Sequence, residues 1–460
     1  MTNNAPPTGR AIRPTALPPR PYRFPAFERR RMDNGAKIVI APARKLPLVT
    51  VCLVAEAGAV ADAPGREGIA QLTGDLLLEG SGKHTGAEIA ETFERLGAAV
   101  EIETQWDVSI VSVTALRHHI ESAVKFLGDV VRVPSFPEHE VERFKTERRA
   151  ELLQQHTEPR GLADDMFSRV LYQQDSRFTR PPGGTETSVA AITRHDVQHF
   201  FDGRYRAGGL TIVIAGDITV DDGERLVRSA FSDWTAGEPA AARTNDAPAR
   251  AVRGLHLVSK ADAQQAEVRV GHVGMPRNHE DYYAIVIMNA VLGGLFSSRI
   301  NLNLRERHGY TYGAASGIDW RRQSGPFTVS TAVQTDVTAR AVKEVLAEID
   351  RIRADEINPD ELTLATSYLD GLFPIRYETT GAIANALVNL NAFDLPDDFH
   401  DVYRERIRAV TTGDVLRAAR VHLRPDALQL LVVGDDEQLT PQLEELAFAA
   451  LTVHDVKDDA

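Results

Sequence analysis

The sequence predicts an α+β protein made of two homologous lobes from a tandem duplication, each a mixed sheet with helices packed on it, together enclosing a cavity. The first observation behind this is repetition. Val111-Ser112 recurs as Val329-Ser330, Ala123-Val124-Lys125 as Ala341-Val342-Lys343, and Asp196-Val197 as Asp414-Val415; LTIVIAGD (210–217) recurs as LQLLVVGD (428–435), and all four pairs lie 218 residues apart. Unrelated matches would not share one offset. The second is that period-two apolar segments in hairpins mix with capped helices, rather than alternating strictly as in a doubly wound sheet. The third is length, since 460 residues exceed one ordinary core.

Taken in order, residues 1–25 form a Pro-rich polar arm, expected as an extended tether. The N-terminal lobe, 26–234, shows the strand LVTVCLVAEAG and the hairpin VEIET with VSIVSVTAL, then helices, then a final strand ending in Gly-Asp. Thr85-x-x-Glu88 is a capping box that starts one of its helices. Residues 235–254, rich in Ala, Pro and polar side chains, read as an exposed interlobe linker. The C-terminal lobe, 255–460, repeats the order with AEVRVGHVG, then ASGIDW with FTVSTAV, and a helix start at Asn358-Pro359-Asp360-Glu361. Each half is expected to open on a strand pair. Two lobes on one linker can face each other across a cavity and move about it, which suits an enclosed substrate.

Composition narrows the function. A formal charge of −13 with no long basic block argues against a nucleic-acid surface and favours peptides or basic partners. No run of apolar residues approaches 18, so no membrane span is expected. The only cysteine, Cys52, sits in a strand-like run and reads as a buried, inert thiol. The N-terminus shows no signal-peptide core, so the expected compartment is the cytoplasm, or the periplasm if such a peptide has been removed.

The chemistry is concentrated in two segments. In GIAQLTGDLLLEG (68–80), Gln71, Gly74 and Asp75 share one helical face beside the apolar stripe Ile69, Leu72 and Leu76, with a Gly that costs about 1 kcal/mol relative to Ala. The second segment is GGLFSSRINLNLRERHGYTYG (293–313). Together with MDNGAKIVIAP, LPLVTVCLVAEAGAVADAPGREGIAQL and GGTETSVAAITRHDVQHFF, in this order on a duplicated scaffold, it resembles the pitrilysin, insulinase and mitochondrial-processing-peptidase family of zinc peptidases, from about residue 32 to about residue 440.

Active members of that family carry His-x-x-Glu-His on a helix, in which two imidazoles bind zinc and the Glu takes a proton from the metal-bound water. The resemblance sets Gln71-Leu72-Thr73-Gly74-Asp75 on that motif and Glu151 on the third-ligand position, so both histidines and the base are missing here. Gln71, Asp75 and Glu151 are hard ligands that suit a weakly held Ca²⁺ or Mg²⁺ better than zinc; otherwise they are a degenerate helix face with a solvated carboxylate pair, and the chain binds no metal. Without a base, activity of the chain alone is not expected. His195 and His199, spaced i, i+4 around Asp196, imitate a zinc motif, but the second copy has Gly413 and Arg417 there and keeps Asp414 and Val415, so the retained residues read as structural. His118 and His119 cannot share a helical face and read as surface residues.

The second segment is intact. The resemblance places on Arg305 and Tyr312 the pair that reaches toward substrate at the zinc, where a guanidinium can donate to peptide carbonyls and a phenol to a developing oxyanion. Chemistry alone favours a surface ion pair for Arg305 and core packing for Tyr312; the resemblance reverses that preference. Some peptidases of the resembled family are built from two chains, one with the zinc motif and one with the Arg/Tyr pair, so the resemblance implies that a lost metal half beside an intact Arg/Tyr half belongs to a heterodimer. A homologous partner with the intact motif would hold the Zn²⁺, and peptide would be bound by strand addition to a sheet edge. The alternatives are a structural homologue resembling respiratory-complex core subunits and a peptide-binding homodimer.

Overall fold

The computed structural model describes residues 21–261 and 263–454. Six strands of the first half, β1 (Glu28–Arg31), β2 (Lys37–Pro42), β3 (Leu48–Ala55), β4 (Ala99–Thr104), β5 (Ser109–Leu116) and β6 (Leu210–Gly216), form one sheet in the order β1-β2-β6-β3-β5-β4. Six of the second half, β7 (Gly254–Ser259), β8 (Gln265–Val273), β9 (Ala314–Ile318), β10 (Pro326–Gln334), β11 (Gln429–Gly434) and β12 (Leu451–His454), form another in the order β12-β7-β11-β8-β10-β9. Five positions correspond strand for strand, including the parallel pairs β2/β6 and β7/β11. The sixth is filled from opposite ends of the chain, by β1 antiparallel to β2 and by β12 parallel to β7.

Two expectations change here. The first half opens on the pair β1 and β2, but the second does not open on a pair, because β11 lies between β7 and β8 as β6 lies between β2 and β3. A parallel neighbour needs a long crossover, which the helices of each half supply. The Gly-Asp strand is the last of the first half, β6, but not of the second, where β12 follows β11.

Period-two alternation distributes the apolar residues to two faces. Ile38, Ile40, Val51, Leu53, Ile212 and Ile214 meet helices of their own half. Val39, Ala41, Cys52, Val54, Val213 and Ala215 point the other way, where the helix Thr380–Ala392 of the second half covers them with Ile383, Ala384, Leu387 and Val388. The exchange is reciprocal: the helix Pro159–Leu171 of the first half lays Leu162, Met166 and Phe167 on Val258, Val273, Leu431 and Val433 of the second sheet. Cys52 is thereby buried and its thiol pushed up to about 12, first by burial and then by Glu101.

Equivalent hairpin turns also meet between the halves. The Arg322 N–H donates to Asp107 (2.9 Å), and the Arg321 guanidinium lies 4.2 Å from the Trp106 ring centroid. Separating the halves would uncover both exchanged helices, at about 1.5–3 kcal/mol for each large apolar side chain. This opposes the free lobe motion expected from a single linker. In the 235–254 stretch, Thr244 accepts from Arg177 N–H (2.6 Å) and donates its own N–H to Gln323 (3.0 Å).

Residues 1–20 of the arm lie outside the described residues. Its end is a packed anchor rather than a tether: the Tyr22 hydroxyl donates to Tyr377 O (3.1 Å), and Phe24 stacks on His400 at 4.4 Å. Within Tyr282–Arg307 an 18-residue window is more apolar than expected, with a mean hydropathy of 1.5. The stretch is interrupted at Leu295, which is extended (φ −106°, ψ 155°), and Ile285, Ile287, Met288 and Leu292 bury themselves in the second core.

Candidate functional site

The helix Ile69–Asp75 begins at Gly68, whose φ of 95° and close approach to Gly183, whose carbonyl would lie 2.6 Å from a Cβ, both require glycine. Its first N–H groups are met from outside the helix. Asp62 accepts from Gly68 N–H (2.7 Å) and Ala70 N–H (3.0 Å), and the buried Arg177 guanidinium donates to the same carboxylate (2.7 Å). Burial pushes the Asp62 carboxyl up to about 6, against the pull of Arg177. Arg177 also donates to the carbonyls of Arg180, Pro181 and Pro182, so one side chain fixes the segment leading to Gly183 and Gly184.

The three polar positions converge. Gln71 and Asp75, both half-buried, and the exposed Glu151 on the helix Glu138–Thr157 line one cavity of about 270 Å³ with Phe144, Glu147 and Arg148. Arg148, like Arg177, is a residue sequence reasoning missed, although its i, i+3 spacing to Glu151 was a signal for that one pairing. It donates to Glu151 (3.0 Å) and to Gly183 O (3.1 Å). Burial pushes the Asp75 carboxyl up to about 6; Arg148 opposes this and Glu151 adds to it.

An amide, two carboxylates and a guanidinium already among them do not fit zinc. The base position is closed as well as empty. A Cβ on Gly74 would lie 2.7 Å from Thr104 Oγ1 and 3.3 Å from Ser109 Oγ.

Asp75 carries a pH prediction. Its folded value lies above the ordinary 3.8, so the folded state holds the proton more tightly and stability falls as pH rises from about 4 through about 6. Asp75→Asn should therefore stabilise the chain at pH 7.5 by about 1–3 kcal/mol, and by much less at pH 4.5. Urea denaturation of both proteins at the two pH values measures this, and an equal effect at both would refute it.

The histidine pair frames a carboxylate that is engaged as a helix cap. His195 and His199 are exposed on the helix Arg194–Arg204, with rings 6.4 Å apart, and the Asp196 carboxylate accepts from Thr193 N–H and from Arg66. Thr411 and Asp414 make the same capping box in the second half, which is why Asp and Val recur without the histidines.

The Arg/Tyr segment is built differently. Asn301 joins its parts by donating to Phe296 O (2.6 Å) and accepting from Ala314 N–H (3.1 Å). Thr311 and Thr331 both donate to Gly313 O, which ties the backbone around Tyr312 to β10. Tyr312 nevertheless stands 92% exposed, so the reading of a core tyrosine fails. Arg305 makes a 3.5 Å ion pair with adjacent Glu306 and stacks 4.6 Å from the ring centroid of exposed Phe296. Tyr312 and Phe296 line a cavity of about 490 Å³ between the halves, with Arg160 from the first half and Arg269 from the second. Arg269 is buried and paired with Asp164 and Glu267. This cavity and the one at Gln71 share no lining residue, and Arg305 lines neither.

The model of the insulinase family (peptidase family M16) matches residues 37–180, and that of the peptidase M16 inactive domain matches residues 191–369. An uncharacterized zinc protease of Streptomyces coelicolor is 24% identical over 397 residues, covering 85% of this chain and 86% of its own. A Helicobacter pylori protein named a non-peptidase homolog is 22% identical over 401 residues, covering 85% and 90%. The crystal structure of a peptidase M16 inactive domain from Pseudomonas fluorescens superposes with a TM-score of 0.84 at 25% identity, covering 89% of this chain and 98% of that one. A chain of complex III from Candida albicans shares the fold, with a TM-score of 0.75 at 14% identity, covering 91% and 99%.

Proposed function

Since this chain belongs to the insulinase family of peptidases, M16, we propose that it is the subunit of a two-chain zinc metallopeptidase that binds no metal at the motif position and supplies Arg305 and Tyr312 to peptide held at a partner's zinc. The observation that carries this is the contrast within one chain. The motif helix holds Gln71, a closed Gly74 and Asp75 beside a resident guanidinium, while Tyr312 is presented to solvent beside a Gly313 carbonyl held by Thr311 and Thr331. A large exposed phenol on a rigid segment is placed to meet something outside the chain.

The partner in this reading is a homologue with an intact His-x-x-Glu-His helix, and the substrate is an unfolded peptide. Ala314 and Ala315, on the edge strand β9, line the cavity beside Tyr312, where an extended chain could pair with the sheet. The test is mixing. The purified chain should be inert on peptides, as should the effect of adding Zn²⁺ to it, and activity should appear on addition of the homologous zinc-motif chain. Turnover by this chain alone, or no change in the partner's activity on mixing, would overturn the assignment.

A second reading, a homologue without peptidase chemistry, is favoured by the Helicobacter pylori relative and its name. It expects a complex with no gain of activity, so the same experiment separates the two.

A further inference from the structure

We propose that the C-terminal lobe holds a structural binding site for a borderline divalent metal, Zn²⁺ or Co²⁺, formed by His279, Asp281 and His422. Their ligand atoms all lie within 4.8 Å of one another. Asp281 is the N-cap of the helix Tyr282–Asn289, and His422 is the last residue of the helix Thr412–His422, so the cluster joins the start of one helix to the end of another. His422 Nε2 lies 2.7 Å from Asp281 Oδ2, the two imidazoles sit edge to face at 4.8 Å, and the Asp281 N–H donates to His279 Nδ1 (3.1 Å). Two imidazoles and one carboxylate are the donor set of zinc-like metals rather than of Ca²⁺ or Mg²⁺.

The second carboxylate oxygen, Asp281 Oδ1, is engaged by Arg417 at 2.8 Å. That contact orients the carboxylate and leaves Oδ2 as a single-oxygen ligand, as outer partners of metal ligands do. It also adds a positive charge nearby, which sets the affinity below that of a closed three-histidine site. Tetrahedral coordination with bonds of about 2.0 Å needs ligand atoms roughly 3.3 Å apart, so the Nε2–Oδ2 pair opens by about half an ångström as the metal replaces the hydrogen bond. The cluster is not part of the duplicated scaffold. The equivalent positions 218 residues earlier are Ala61, Ala63 and Arg204. The helix it anchors leads, through residues 290–307, to Arg305, so the metal would steady the base of the Arg/Tyr segment without touching substrate.

The test uses the full chain after dialysis against chelator. Titration with Co²⁺ should show one saturable equivalent with the visible absorption of a four-coordinate site; Zn²⁺ should displace it and raise the Tm. His279→Ala, which removes a half-buried loop imidazole, should weaken binding at least tenfold while the chain stays folded. Asp75→Asn with Glu151→Gln should leave binding unchanged, which separates this site from the motif cavity. No saturable uptake, uptake unaffected by His279→Ala, or loss in the Asp75/Glu151 variant would each overturn the proposal. None of these outcomes depends on peptidase activity.

Discussion

In a complex with a zinc-bearing partner, Arg305→Ala and Tyr312→Phe are each expected to lower kcat/KM at least tenfold, with both complexes still assembled on size exclusion. The two should fail differently. Tyr312 makes no contribution to the core, being 92% exposed, and its backbone is held through Gly313 by Thr311 and Thr331. Its hydroxyl is therefore a donor on a fixed arm, and removing one such donor from a developing oxyanion costs about 10²–10³ in kcat in well-studied enzymes. Tyr312→Phe should act mainly on kcat. The Arg305 guanidinium, with neighbouring Glu306 as its ion-pair partner and Phe296 as its platform, is free to donate to peptide carbonyls in the ground state as well. Arg305→Ala should therefore raise KM as well as lower kcat, and Arg305→Lys should recover only part of the loss because the planar fork is gone. Steady-state kinetics on one peptide decides the matter. Unchanged kcat/KM in both variants would remove Arg305 and Tyr312 from the mechanism.

What the sequence made legible follows from what is local in it. The repeat was readable because equal helices and strands recur at one offset, and the helix Arg194–Arg204 has its counterpart at Thr412–His422, exactly one repeat later in both bounds. Capping boxes at Thr85 and Asn358 were readable because each needs only four residues. The convergence of Gln71, Asp75 and Glu151 was reached through family resemblance and not through spacing alone. The reciprocal exchange of Pro159–Leu171 and Thr380–Ala392 was not legible. An apolar helix face declares that it is buried but not which sheet buries it, and here each helix crosses to the other half's sheet. For the same reason Arg148 and Arg177 were missed as site residues. Their roles depend on Gly183, Asp62 and Asp75, which only the fold brings near.

Arg177→Ala is expected to be the most destabilising single change near the motif helix, about 3–5 kcal/mol by urea denaturation at pH 8. The Asp62 side chain is fully buried, with Arg177 as the cation that faces it and two backbone N–H groups as its other donors. Removing the guanidinium leaves a buried carboxylate without its counter-charge and also frees the carbonyls of Arg180, Pro181 and Pro182. The pH dependence identifies the cause. Burial already lifts Asp62 to about 6 and Arg177 pulls it down, so in Arg177→Ala the carboxyl rises further and takes up its proton at a higher pH than in the wild type. The protonated side chain is neutral, and the penalty of an unpaired charge disappears with it. The stability difference between wild type and variant should therefore narrow on going from pH 8 to pH 5, and Asp62→Asn introduced into Arg177→Ala should recover part of the loss at pH 8. A destabilisation independent of pH would assign the loss to the freed carbonyls and packing instead of to the buried charge.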